Sequence, residues 1–179
     1  MANPMYGQNK ADNAIDVVKN NQGIIEKTVV KSSVTITATA AANTDGTVAQ
    51  PAGTTLMDVM ISPHSILTTA GTSGDDLDFS MGTAAGGAQI LAAKAILDDG
   101  GAAVSFAAGS VAEVISSGKG LGAGAHVGIG ISASEASSVV GALYSATARD
   151  VHFRFTPLAN DLAATGKVDV ICTFVHTNA

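Results

Sequence analysis

The side chains of this chain best equipped for chemistry are four histidines (His64, His126, His152, His176), one cysteine (Cys172), and an acidic run at Asp75, Asp76 and Asp78. The histidines are dispersed, with neither H-x-H nor H-E-x-x-H spacing, so no helix or strand presents two imidazoles to one metal. A metal enzyme or hydrolase would need His152, His176 and a carboxylate to converge through the fold. No G-x-S-x-G elbow provides local support for Ser-His-Asp catalysis. Cys172 falls on the apolar face of its segment, which suits a small buried hydrophobe better than a nucleophile. The aspartates could offer oxygens to calcium, but an EF-hand loop would need its turn glycine right after the third ligand, and the run fails that spacing. Outward carboxylates on an edge strand, discouraging stray sheet pairing, are the plainer expectation.

The glycine-rich stretch at 118–123, GKGLGA, satisfies a relaxed dinucleotide fingerprint. That fingerprint must open a helix, whereas HVGIGIS follows here with strand-like alternation, so a flexible loop is the better reading. A Walker-type phosphate loop fails because Gly120 follows Lys119. No catalytic residue, cofactor or metal is therefore expected.

Position and composition set the frame for these residues. The chain has 179 residues, enough for one domain with a core that needs no metal or disulfide staple. Charged residues form 13% of it and aromatics 4%, with 20 glycines and no tryptophan, which predicts a core of small side chains and a surface rich in Ser, Thr, Ala and Gly. Net charge is −6, and it is unevenly spread: residues 1–31 hold four lysines and three acidic side chains, the remainder five basic and twelve acidic. An acidic body argues against nucleic-acid binding, which depends on clustered Lys and Arg. Neither a signal-peptide h-region nor an apolar run of membrane-spanning length is present, so a chain made and folded as a soluble protein is expected.

Residues 1–27 are polar and amide-rich, with Pro4, Met5, Tyr6, Ile15, Val17, Val18, Ile24 and Ile25 as their few apolar anchors. This segment reads as an extended arm that a partner chain must hold, with a helical turn or two at most from Asp12 to Lys19. From Thr28 onward, in residues 28–179, the pattern is β. VTITATA alternates from Val34, Asp45-Gly46 supplies a tight turn reinforced by Pro51 and Gly53, and TTLMDVMIS runs to Pro63. Leu77, Phe79 and Met81 alternate with polar residues in the next strand. Residues 88–99, AQILAAKAILDD, have near-helical spacing of Ile90, Leu91, Ala95 and Leu97 and predict one short helix. Short strands are expected at 103–106 and 111–116, another in HVGIGISA, and two clear ones in RDVHFRFTPLA and KVDVICTFVHT. About eight short antiparallel strands with one helix and an N-terminal arm make an all-β protein, a β-sandwich or jelly roll.

The layout of arm, PAGTTLMDVMIS, DLDFSMGT and RDVHFRFTPLANDLAATGKVDVICTFVHT resembles the small β-sandwich virion proteins of tailed bacteriophages, in particular capsid decoration (cement) proteins of marine phages. The likeness spans residues 28–177 as a pattern of strands and turns. It implies a non-enzymatic homo-oligomer on the outer capsid surface, partnered by the major capsid protein, with no nucleic-acid or membrane partner. A receptor- or glycan-binding fibre module would use the same sandwich, but the absence of tryptophan disfavours carbohydrate stacking.

Overall fold

A computed structural model describes residues 27–38, 42–71, 75–98, 102, 103, 105–113, 143–158 and 162–176. The arm anchors, the glycine run 118–123, His126 and HVGIGISA lie outside these residues. The named elements are the strands β1 (Lys27–Ile36), β2 (Thr44–Gln50), β3 (Thr54–Pro63), β4 (Leu67–Thr68), β5 (Asp75–Gly82), β6 (Leu91–Asp98), β7 (Ser105–Phe106), β8 (Ala112–Glu113), β9 (Tyr144–Ser145), β10 (Arg149–Pro157) and β11 (Gly166–His176).

Two antiparallel sheets carry the body. The first has the order β1-β11-β3-β8, with β9 also on β3, and the second has the order β2-β10-β5-β6. Leaving aside the short strands β4, β7 and β9, the first strand pairs with the last, the second with the penultimate, and so on inward through β3 with β8 and β5 with β6. A long hairpin rolled up so that its paired arms alternate between two sheets produces this order, which is that of a jelly roll. The expected all-β sandwich is thus present, in its jelly-roll form.

Period-two alternation places the core between the sheets. Leu77, Phe79 and Met81 of β5, Val151, Phe153 and Phe155 of β10, and Val168, Val170, Cys172 and Phe174 of β11 are all buried. Large side chains fill this core, contrary to the expectation of small ones: all five phenylalanines are buried. Alanine counts toward hydrophobic composition, but Ala49, Ala92 and Ala93 face solvent. The rings of Phe79, Phe153 and Phe155 form one cluster, with centroids 5.0 to 6.2 Å apart.

Three local expectations are corrected. The segment expected as a helix is strand β6, whose pairing with β5 shifts register at three places. Those irregularities put Ile90, Leu91, Ile96 and Leu97 in the core, and an interrupted period of two imitates helical spacing. Asp45-Gly46 does not turn the chain; both residues lie within β2, opposite Arg154 and Phe153. Glycine is needed there because a Cβ would sit 2.3 Å from the Phe153 ring. The turn comes later, at Gly53, with φ of 69°. Finally, β5 is an interior strand of its sheet rather than an edge, so Asp78 does not guard a free edge.

Candidate functional site

The outward face of the β1-β11-β3 sheet carries the most developed polar cluster among the described residues. Its centre is Asp169 of β11, a buried carboxylate. The alternation that sends Val168 and Val170 inward turns Asp169 outward, opposite Ser33 on one side and Ser62 on the other. Ser33 donates its hydroxyl to Asp169 Oδ1. Lys31 Nζ donates to Oδ2 from 3.3 Å, and His64 Nδ1 lies 3.3 Å from the same oxygen. The turn after β3 is fixed beside them: His64 N donates to Lys167 O at 2.8 Å, and Lys167 N donates to Ser65 Oγ at 2.9 Å.

Burial pushes the Asp169 carboxyl upward, but hydrogen bonds from Ser33 and Lys31, the Lys31 charge, and His64 outweigh it and hold the group below its ordinary value. The set contains serine, histidine and aspartate without forming a nucleophilic relay. Ser33 donates to the carboxylate rather than to the imidazole, so no base is placed to take its proton. What the arrangement does is tie β1, β11 and the β3–β4 turn together through one carboxylate.

A testable consequence concerns pH. Because the folded-state pKa of Asp169 is depressed, its contribution is present above the ordinary carboxylate value of 3.8 and lost as pH falls below it. Asp169→Asn is expected to cost about 1–3 kcal/mol near neutrality. The gap between wild type and variant in urea-unfolding free energy should narrow as pH falls below 3.8; a gap that stays constant with pH would remove the carboxylate from this role.

Around the cluster the same face is sparingly apolar. Val29 is 62% exposed and Met57 52%. Val29 sits opposite Thr173, which pairs with Asp58, and Met57 is the extra residue at the register shift beside Thr173. Neither this cluster nor these apolar residues were anticipated. The signal available was Asp169 itself, a charge placed within the apolar run VDVICTFV on the face opposite Val168 and Val170.

On the other outward face Arg154 of β10 donates to both carboxylate oxygens of Asp45, Nε to Oδ1 at 2.7 Å and Nη2 to Oδ2 at 2.9 Å. The hydrogen bond from Arg154 lowers the Asp45 pKa and the same pairing raises that of Arg154.

The three described histidines do not converge. His64 joins Asp169, His152 lies on β10 and His176 at the end of β11, in opposite sheets. Among the described residues no group of three or more His, Cys, Asp and Glu side chains is arranged to hold a metal ion. Burial, with Asp58 adding to it, pushes the Cys172 thiol up to about 12, so at neutral pH the sulfur is a protonated core group rather than a nucleophile.

Comparison with known proteins adds little to this geometry. No protein-family model matches the chain, and no curated protein matches it. Among solved structures, a chain of the cyanophage Pam1 capsid asymmetric unit is similar at 20% identity with a TM-score of 0.46, over 85% of this chain and 86% of that one.

Proposed function

We propose that this chain is a non-enzymatic virion structural protein that decorates the outer surface of a phage head, bound to the major capsid protein and docked in part by residues 1–27. The observation that carries the reading is the rolled strand order of the two sheets, an architecture used by viral capsid proteins as well as by lectins and cupins. The described polar groups point away from the enzymatic users of that fold. The Asp169 cluster, the Arg154–Asp45 pair and Cys172 are occupied in holding strands together or buried in the core. The phage-virion resemblance of residues 28–177 selects among the remaining users, and a polar arm with few apolar anchors supplies reach without a core of its own. Twenty-six residues preceding β1 could extend at most about 3.3–3.6 Å each, enough to cross a neighbouring subunit.

The test is co-sedimentation with capsids stripped of this protein. The full chain is expected to bind, and a variant lacking residues 1–26 is expected to lose binding while its circular dichroism and urea-unfolding midpoint stay those of a folded sandwich. Undiminished binding by the truncated chain would reject the arm as a dock; absence of binding by the full chain would reject the decoration role itself.

A further inference from the structure

The outer strands of the two sheets, β1, β8 and β9 in the first and β2 and β6 in the second, are unequally protected. An open edge presents unpaired N–H and C=O groups, and proteins ordinarily shorten, bend or charge such edges. In the second sheet β6 is distorted by three register shifts, and β2 contains Asp45 and Gly46, residue types that strands disfavour. In the first sheet β8 and β9, both on β3, have 2 residues each. The remaining edge, β1, is 10 residues long, pairs with β11 without a register break, and no described strand pairs with its other side. Its sequence, KTVVKSSVTI, holds two lysines, of which Lys31 is drawn to Asp169 within its own sheet, and is otherwise rich in the β-branched residues that favour pairing. Val30 and Val34, on its core-facing side, pack against the core while remaining only partly buried.

We infer that β1 is the interface for a second copy of this chain, the two β1 strands pairing antiparallel about a two-fold axis at Ser32 to join two sheets into one. Side-chain direction and charge narrow the register, and the two rim valines select it. Residues that face one another across a ladder must share a face of the sheet, so the axis must pass through a residue. Placed at Lys31, it would set two lysines directly opposite each other, a destabilising pair. Placed at Ser32, Val30 meets the partner's Val34 twice over, covering the two valines left at the rim. Val29 then meets the partner's Thr35, Thr28 the partner's Ile36, and Lys31 the partner's Ser33, with no like charges opposed. A C2 interface requires such self-complementarity, because one surface must be its own partner. The inference stands apart from the particle-binding role and is tested without a capsid.

Sedimentation velocity of the full chain at micromolar concentration is expected to show a dimer. Val29 and Thr35 are both exposed, so Val29→Lys with Thr35→Lys opposes two lysine pairs without entering the core, and should raise the dimer dissociation constant at least tenfold. Val29→Lys with Thr35→Glu opposes unlike charges in the same register and should restore it. Independently, the double variant Val29→Cys and Thr35→Cys should form a disulfide-linked dimer under mild oxidation; the two positions lie about 20 Å apart within one strand, out of reach of each other. A monomer, a trimer, a dimer indifferent to both charge variants, or failure of the cysteine variant to cross-link would each overturn the inference.

Discussion

Phe79→Ala is expected to cost this protein about 3–5 kcal/mol of stability, the range for removing a phenylalanine ring from a packed core. Phe79 is fully buried on β5, its ring centroid 5.0 Å from that of Phe155 and 6.2 Å from that of Phe153. Truncation therefore loses the transfer energy of one ring and two aromatic contacts together, and leaves a void lined by side chains whose strands are fixed by ladders on both sides. Neither β10 nor β6 can close it without breaking register. Against a typical total of about 5–15 kcal/mol, the variant should fold but sit close to its limit. Urea unfolding would show a large drop in midpoint at unchanged slope, whereas Ile66→Ala, at a site 63% exposed, should stay within about 0.5 kcal/mol of wild type. A loss below about 1 kcal/mol for Phe79→Ala would mean that the aromatic cluster is not the centre of the core.

Gln50→Leu is expected to be nearly as damaging for a different reason. Gln50 is 1% exposed at the end of β2. Its Nε2 donates to the carbonyls of Thr54 and Leu143, each at 2.9 Å, and its Oε1 accepts from Arg149 Nε at 2.8 Å. One amide thus joins three backbone segments: the turn between β2 and β3, the approach to β9, and the start of β10. The same turn is held by Thr54 Oγ1 donating to Pro51 O at 2.6 Å and by Gly53 N donating to Ser145 O at 2.8 Å. Leucine preserves the approximate bulk but removes every one of the amide's bonds and strands carbonyls away from water, so a loss of about 2–4 kcal/mol follows from the cost of unsatisfied buried groups. Hydrogen exchange should report where the damage lies. The amides of Gly53 and Thr54 should lose protection well before those of β11, and uniform loss across both sheets would contradict a local clamp.

How much of this was legible beforehand varies along the chain. β10 and β11 could be read residue by residue, because each has one face in the core and one turned away from it, and a ladder without bulges preserves the period of two throughout β10. The same holds for Leu77, Phe79 and Met81. β6 was misread because its periodicity is not intrinsic; it depends on where the ladder with β5 slips, and that is settled between strands rather than within one. Gly46 was misread for a related reason. A glycine after aspartate signals a turn locally, yet here it makes room for a ring delivered from β10, more than a hundred residues later in the chain.

The candidate clusters divide along the same line. That Asp169 would face away from Val168 and Val170 follows from alternation alone, and so does the burial of Cys172. That Lys31, Ser33 and His64 would be the groups to meet Asp169 does not, since they are 138, 136 and 105 residues away and are joined only when β1 and the β3–β4 turn flank β11. Hydrophobic pattern and turn chemistry act over a few residues, and they sufficed to determine an all-β chain with its core faces. Pairing the first strand with the last is a long-range choice made by closing two sheets over one core. Only that closure decided the jelly-roll order, the composition of the Asp169 cluster, and which strand, among the described residues, has a neighbour on one side alone.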